Sequence, residues 1–279
     1  MFHGPMLQKS NDIEFVGVWA RRPEAAALVT KNYGGIVFES FDELTESCEA
    51  LAFCVPPDIQ ATMATTAAQR GLHLLLEKPL ALDLPSARNL VEAIELAGVT
   101  SQLVLTNRYR LDARAFITQA HQIEPLGASV TWISNAAIPG EPFATPWRIE
   151  RGALPDIGPH ALDLLDAALG PITGIDAIGN STTVVTLICK HESGAQSTAV
   201  LTAVAHEHAA EMRFEVFGTK GAASFGAGNT QPTETGDVLE MVTSEFVGAV
   251  RSGQPHPLDA RRGLMLQTLL DEAATALAK

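Results

Sequence analysis

Short apolar runs alternate with helix-length segments through the first hundred residues, and this alternation restricts the fold more than any other feature. The apolar runs cover residues 13–19, 51–55, 72–76 and 102–105. Proline, glycine or aspartate bounds the segments between them, as is typical of helix starts and ends. Apolar runs joined by helices of about 10–15 residues indicate βαβ units, whose parallel strands are covered on both faces. The sequence therefore predicts an α/β fold with a Rossmann-like, doubly wound parallel sheet.

The pattern changes after residue 106. Residues 127–135 and 175–225 alternate apolar with polar, Thr- and Val-rich positions, which is typical of antiparallel or mixed strands. We therefore predict a Rossmann-like domain over residues 1–106, followed by an α+β domain with an open mixed sheet over residues 107–279. Helices of the second domain are predicted at residues 111–122, 158–169, 237–251 and 259–278.

Composition excludes several classes of protein. The 279 residues include 32 Asp and Glu against 19 Lys and Arg, a net charge of −13 that opposes binding to nucleic acid or to an anionic membrane. There is no apolar stretch of about 18 residues and no secretory signal pattern at the start. Three cysteines are too few for a disulfide framework or a zinc knuckle. We expect a cytoplasmic protein that acts on small molecules and holds no metal.

Glu77, Lys78 and Pro79 directly follow the strand predicted at residues 72–76. Ligands of open α/β sheets bind outside the carboxyl ends of the strands, so these residues lie at a candidate site. A lysine in a partly dry cleft can polarise a substrate hydroxyl and stabilise negative charge that develops on its oxygen. The alternative is an exposed Glu77–Lys78 ion pair at a turn, which would contribute little.

Asp156 and His160 form a second candidate group. The sequence predicts that their helix begins near Gly158, which would place His160 in the first turn. There the positive end of the helix dipole favours the neutral imidazole that a general base requires. Asp156 could orient this ring or share its proton. Alternatively, Asp156 caps the helix and His160 is a buried, hydrogen-bonded histidine.

Together these motifs resemble the Gfo/Idh/MocA oxidoreductases, a family named for glucose-fructose oxidoreductase and inositol dehydrogenase. The resemblance implies a Rossmann domain, a second domain whose open sheet pairs into dimers or higher homo-oligomers, and hydride transfer between a sugar or polyol carbon and NAD(P). It also implies that His160 takes the proton of a secondary hydroxyl, that Lys78 polarises its oxygen and that Asp156 is the acid of the motif. The matching segments, in chain order, are GVWARRPEAA, CVPPDIQ, GLHLLLEKPLA, TNRYR, PWR and ALPDIGPHALDLL.

The cofactor is expected at the ends of the predicted strands and beside one segment of the second domain. Where an NAD-selective fold commonly has an acidic residue, this sequence has Arg21 and Arg22. Two guanidinium groups suit a 2′-phosphate, which favours NADP over NAD, unless one or both arginines point into water. The residues expected at the cofactor are Ala20, Arg21, Arg22, Val55, Pro56, Pro57, Glu77, Lys78, Asn107, Trp147 and Arg148.

The sequence departs from the family pattern in two places. Gln60 stands where a histidine is expected, which puts a minor contact in doubt. The first strand and Gly-rich turn, which hold the cofactor's pyrophosphate, are also lacking: residues 2–7 look like the helix after that turn, and Gly4 alone cannot replace G-x-G-x-x-G. That strand would lie between the strands at residues 13–19 and 51–55, so its absence leaves their backbone unpaired or makes them pair directly.

Three explanations for this gap stay open, and they imply different functions. The natural protein is longer, which we favour; or the sheet has closed over the gap; or a partner chain supplies the strand. The first retains an NAD(P)-dependent oxidoreductase acting on a sugar or polyol. The second leaves a catalytically inactive sugar- or nucleotide-binding or regulatory relative. The chain as written is expected to bind NADP weakly or not at all.

Overall fold

The structure, a computed structural model, describes residues 3–226 and 235–279. Residue 2 of the predicted first helix and residues 227–234 of the predicted second domain lie outside the described residues. The strands are β1 (Gly17–Val18), β2 (Ile36–Val37), β3 (Ala50–Ala52), β4 (His73–Leu76), β5 (Ser101–Leu103), β6 (Pro125–Ile133), β7 (Ile172–Gly179), β8 (Val184–His191), β9 (Gln196–Thr202), β10 (Glu211–Gly218) and β11 (Gly221–Phe225).

Helices make up most of the remaining regular structure. They are α1 (His3–Lys9), α2 (Pro23–Tyr33), α3 (Phe41–Glu46), α4 (Pro57–Gln69), α5 (Leu84–Ala97), α6 (Leu111–Gln122), α7 (Pro146–Arg151), α8 (Ala153–Leu169), α9 (Thr235–Ser252) and α10 (Ala260–Leu277).

The chain forms two compact units. The first comprises the described residues up to Val104 together with residues 235–264, and the second comprises the remaining described residues. Residues 235–264 join the first unit because the Gln102 side-chain amide donates to the Val242 carbonyl (2.9 Å) and the Leu103 N–H donates to the Leu258 carbonyl (2.7 Å). The domain boundary placed after residue 106 stays a prediction, and these units differ from it by the segment that contains α9.

The strands of the first unit are parallel, as predicted, but they form two sheets. β1 pairs with β2, and β4 lies between β3 and β5. Within the described residues β1 does not pair with β3, so the direct pairing considered above does not occur. β4 is the central strand of the three-stranded sheet; its Leu74 and Leu76 are fully buried, and α4 packs against it.

Local signals in the sequence explain the helix ends of the first unit. α5 begins where the Asp83 carboxylate accepts the Ser86 N–H (2.8 Å), and it ends at Gly98 in the left-handed conformation. α3 was not predicted, although Ser40 and Glu43 have the spacing of a capping box. The Ser40 hydroxyl accepts the Glu43 N–H (3.0 Å), which satisfies one of the free donors at the helix start.

The second unit contains a six-stranded mixed sheet in the order β11-β10-β6-β9-β8-β7. β6 and β9 are parallel and the other pairs are antiparallel. α8 packs on β6, β8 and β9, so one face of the sheet is covered. Val185 and Leu187 of β8 are fully buried on that face, whereas Ile188 points to the other face and is exposed. This mixed sheet confirms the predicted fold class of the second domain.

None of the helices that the structure describes is both long and apolar enough to cross a membrane.

Candidate active site

The cofactor residues predicted in the first unit lie at the carboxyl ends of its parallel strands. This is the edge of an α/β sheet at which ligands bind. Ala20, Arg21 and Arg22 follow β1, Val55 to Pro57 follow β3, and Glu77 and Lys78 follow β4. Both guanidinium groups after β1 are exposed, and neither forms an ion pair within the part of the chain that the structure describes. They are therefore accessible to an anionic group.

Lys78 is half-buried in the loop after β4, and Gln60 of α4 holds the backbone of that loop. Gln60 is fully buried. Its side-chain Nε2 donates to the Glu77 carbonyl (2.7 Å), and its Oε1 accepts the Glu77 N–H (2.8 Å). Gln60, which stands where a histidine was expected, therefore contacts this loop through an amide that offers a donor and an acceptor.

His3 at the start of α1 approaches the same loop. Its Nε2 lies 3.4 Å from Oε1 of Glu77. Burial lowers the pKa of His3 from 6.5 to about 4, because the charged imidazolium loses its hydration. Near neutral pH this contact therefore involves a neutral imidazole and is not an ion pair.

Asp156 and His160 lie one helical turn apart on α8, and both are buried. α8 begins at Ala153 and not near Gly158, so the predicted position of His160 in the first turn is wrong. Asp156 occupies the first turn and His160 is the eighth helical residue. Because the field of a helix end falls off within one turn, the dipole does not act on His160 as expected.

The early start of α8 depends on a contact that is distant in sequence. The carbonyl of Ser181, in the turn between β7 and β8, accepts the Ala153 N–H (2.8 Å), and its hydroxyl accepts the Leu154 N–H (3.3 Å). These bonds satisfy helix donors that would otherwise lack partners. Pro159 lies inside the helix.

Arg148 of α7 holds the Asp156 carboxylate. Its Nε lies 2.9 Å from Oδ1 of Asp156, and its Nη1 donates to the Phe143 carbonyl (3.1 Å). The guanidinium also lies over the Trp147 ring, 4.9 Å from its centroid, which is within the range of a cation–π contact. The structure therefore groups Trp147 and Arg148 with Asp156. Their role at the cofactor stays a prediction.

The His160 ring lies beside Trp132 of β6, with 5.7 Å between ring centroids and 30° between ring planes. An aromatic wall on one side restricts the orientations that the imidazole can take. The sequence reasoning missed Trp132, because only the register of β6 on the sheet places it under α8.

A second buried ion pair lies on α8 about one turn beyond His160. Arg108 donates to both oxygens of Asp163 (3.0 and 3.1 Å), and the Asp163 side chain is 1% exposed. Arg108 belongs to the same 3-10 turn as Asn107, which is buried. Sequence reasoning missed this pair, although a charged residue three positions after His160 on an apolar helix was a usable signal.

Within residues 3–226 and 235–279, no three His, Cys, Asp or Glu side chains form a group that could hold a metal ion.

Two family models match the chain in succession. Residues 1–104 match the model of the oxidoreductase family with an NAD-binding Rossmann fold, and residues 124–224 match the GFO/IDH/MocA C-terminal domain. The chain therefore belongs to the GFO/IDH/MocA family of oxidoreductases. This confirms the family and the fold class that the motifs predicted.

Relatives of this chain include sugar dehydrogenases. Glucose-6-phosphate 3-dehydrogenase of Bacillus subtilis is 27% identical over 172 residues, which cover 58% of this chain and 49% of that relative. The match thus spans about half the length of this curated relative.

Solved structures show the same fold. A putative myo-inositol dehydrogenase from Sinorhizobium meliloti has a TM-score of 0.85 at 19% identity, covering 99% of this chain and 93% of that chain. Levoglucosan dehydrogenase in complex with NADH and levoglucosan has a TM-score of 0.84 at 18% identity, covering 99% and 91%.

Proposed function

We propose that this protein is an NAD(P)-dependent dehydrogenase that transfers a hydride between the nicotinamide and a sugar or polyol carbon. The observation that carries the proposal is the buried pair of Asp156 and His160, one turn apart on α8, within the segment that resembles the family's proton-transfer motif. The names of the relatives, glucose-6-phosphate 3-dehydrogenase and levoglucosan dehydrogenase, favour a sugar as the substrate class.

His160 acts as the general base in this proposal. Its imidazole takes the proton of a secondary hydroxyl, and the hydroxyl oxygen keeps the electron pair that forms the carbonyl. Trp132 limits the orientations of the ring. Arg148 holds the Asp156 carboxylate one turn before His160 on α8. A bound NAD(P) would supply the acceptor for the hydride that leaves the carbon bearing the hydroxyl.

Lys78 polarises the substrate oxygen. Its ammonium group stabilises the negative charge that develops on the oxygen as the proton leaves. This interaction is stronger at a half-buried position than it would be in bulk water. In the sugar-reducing direction the same ammonium polarises the carbonyl oxygen, and His160 returns the proton.

The residues at the strand ends fit a dinucleotide. Exposed Arg21 and Arg22 suit a 2′-phosphate, so NADP is favoured over NAD. Pro56 and Pro57 offer a rigid apolar ledge where β3 ends. We expect Arg21→Glu to weaken NADP binding by about tenfold or more, because one charge-assisted bond to the phosphate is lost, and to leave NAD binding within threefold. Isothermal titration calorimetry with both cofactors measures this.

The open face of the second unit's sheet is the proposed interface of a homodimer or higher homo-oligomer. Ile178, Val184, Ile188 and Val200 are exposed on neighbouring strands β7, β8 and β9 of that sheet. An uncovered apolar sheet face is typical of an association surface. Sedimentation velocity is expected to show an oligomer that Ile188→Asp dissociates.

We further propose a cytoplasmic location, since the three cysteines are free thiols.

Turnover with a panel of sugars, sugar phosphates and polyols, followed by NAD(P)H absorbance, tests the activity. The cofactor is supplied over a range up to millimolar concentration. We expect Lys78→Ala and His160→Asn each to lower kcat by about 10²–10³-fold. The matched controls are Lys220→Ala and His206→Asn, which change exposed residues of the same types.

Two results would contradict the assignment. Unchanged kcat in Lys78→Ala would remove the proposed polarising group. Sugar binding without turnover under any cofactor condition would favour the inactive, regulatory relative.

A further inference from the structure

We propose that Gln60 is a positioning residue for Lys78. Its side-chain amide fixes the backbone of residues 77–80 and thereby sets the direction in which the Lys78 amine extends. The catalytic consequence rests on the proposed function above, whereas the positioning itself does not.

The Gln60 amide bonds the loop on both sides of Lys78. Nε2 donates to the Glu77 carbonyl at 2.7 Å, and the carbonyls of Leu80 (3.3 Å) and Pro79 (3.4 Å) lie at the outer limit of hydrogen bonding to the same nitrogen. Oε1 accepts the Glu77 N–H at 2.8 Å. The amide therefore binds Glu77, the residue before the lysine, through the Glu77 N–H and the Glu77 carbonyl. It also contacts the carbonyls of the two residues that follow the lysine.

Gln60 is itself held rigidly. It lies on α4, where its backbone N–H donates to the Pro56 carbonyl (2.8 Å), and it is fully buried. α4 packs against β4 and α5, so the amide has a fixed position relative to the strand that ends at Leu76. A loop bonded to such a group moves with the sheet and not independently of it.

An amide suits this task because it does not titrate. It offers a donor and an acceptor at every physiological pH, whereas a histidine loses its acceptor when it is protonated near pH 6.5. We infer that Gln60 keeps the lysine loop in one conformation across the pH range in which the protein works.

Gln60→Leu is the first test, with Gln102→Leu as the matched control. Gln102 is an equally buried glutamine of the same unit whose amide donates to the Val242 carbonyl (2.9 Å), outside the lysine loop. Because a displacement of about 1 Å at a catalytic group can cost about 10²-fold in rate, we expect kcat to fall about 10²-fold in Gln60→Leu. The KM for cofactor is expected to stay within threefold, and kcat of Gln102→Leu within threefold of the parent protein.

A second readout needs no enzyme activity. Acylation of lysine amines by an amine-reactive ester, followed residue by residue with mass spectrometry, reports how each amine is presented. We expect the rate at Lys78 to change at least threefold in Gln60→Leu and to stay unchanged in Gln102→Leu, with Lys220 as the internal reference. An unchanged rate at Lys78 in folded Gln60→Leu would overturn the positioning role, even if the protein is an active dehydrogenase.

Gln60→Glu covers the case in which Gln60→Leu does not fold. A protonated glutamic acid at this position donates to the Glu77 carbonyl and accepts its N–H, but the carboxylate cannot donate. We expect near-parental kcat and Lys78 acylation in acid, both changing as the pH rises through the pKa of the new carboxyl, with no such change in Gln102→Glu. A pH profile identical to that of the parent protein would refute the inference.

A double variant distinguishes a positioning role of Gln60 from a general disruption of the structure. If Gln60 acts through Lys78, Gln60→Leu lowers kcat no further in a Lys78→Ala background than Lys78→Ala does alone. An additional 10²-fold loss in the double variant would overturn the role. Altered Lys78 acylation in a protein without any turnover would leave the Gln60 inference standing and refute the proposed function.

Discussion

Replacing Arg148 with methionine removes the ion pair that holds the buried Asp156 carboxylate. The two side chains are 21% and 8% exposed and their closest atoms are 2.9 Å apart. Breaking a buried pair from one side costs about 3–5 kcal/mol, because the remaining charge stays poorly solvated. Since Arg148 is partly exposed and water screens this end of the pair, we expect Arg148→Met to lower the free energy of unfolding by about 2–3 kcal/mol.

Arg151→Met is the matched control on the same helix. Arg151 is 53% exposed, and its carboxylate partner Glu150 lies 3.7 Å away and is 74% exposed. Exposed pairs of this kind contribute little, so we expect a change of less than about 0.5 kcal/mol.

Urea unfolding followed by tryptophan fluorescence suits this comparison, because Trp132 and Trp147 belong to the second unit. Adding Asp156→Asn to Arg148→Met removes the buried charge and is expected to restore about 1–2 kcal/mol. Equal destabilisation by Arg148→Met and Arg151→Met would refute the reasoning, since the pair would then contribute no more than an exposed one.

Two further predictions concern a backbone site and the response to acid. Gly152 has φ +74°, and a Cβ there would collide with the Ser181 carbonyl, whereas Gly140 (φ +99°) has open space. Thermal melting should therefore show Gly152→Ala to be destabilised by at least about 2 kcal/mol more than Gly140→Ala, which carries only backbone strain of about 1–2 kcal/mol; similar melting points would contradict this. His3, with its pKa lowered from 6.5 to about 4, binds a proton more readily in the unfolded chain. Stability is therefore lost as the pH falls from about 6.5 towards 4, by up to about 3 kcal/mol, and His3→Gln should not show this part of the loss in urea titrations at each pH. Parallel pH profiles of parent and variant would show that His3 is not responsible.

Much of the first unit could be predicted from the sequence, because its signals are local. The capping aspartate before α5, the glycine after it and the apolar run of β4 each act within a few residues. The strand predicted at residues 13–19 covers only Gly17–Val18 in the structure, because pairing with a neighbouring strand, and not apolar character, sets the length of a strand. α3 was not predicted, although the capping-box spacing of Ser40 and Glu43 is a local signal for its start.

The residues of the candidate site likewise divide into those that local sequence predicts and those that only packing brings together. Lys78, Asp156 and His160 were selected from residue type and motif, which depend only on the chain. Their immediate partners were not: Gln60 reaches the lysine loop from 17 positions away, and Trp132 and Ser181 approach α8 from β6 and from a turn between strands. Contacts over such separations depend on how the elements pack.

The sequence by itself determined the family, the fold class and the residue types that could move a proton or polarise an oxygen, because these follow from local patterns and motif order. Only the tertiary structure decided where α8 begins, that Arg148 pairs with Asp156 and that Gln60 holds the lysine loop. The physical reason is that a helix end or a buried charge takes its final form from whichever distant backbone or side-chain group satisfies it. That partner is chosen when the sheet and helices pack together.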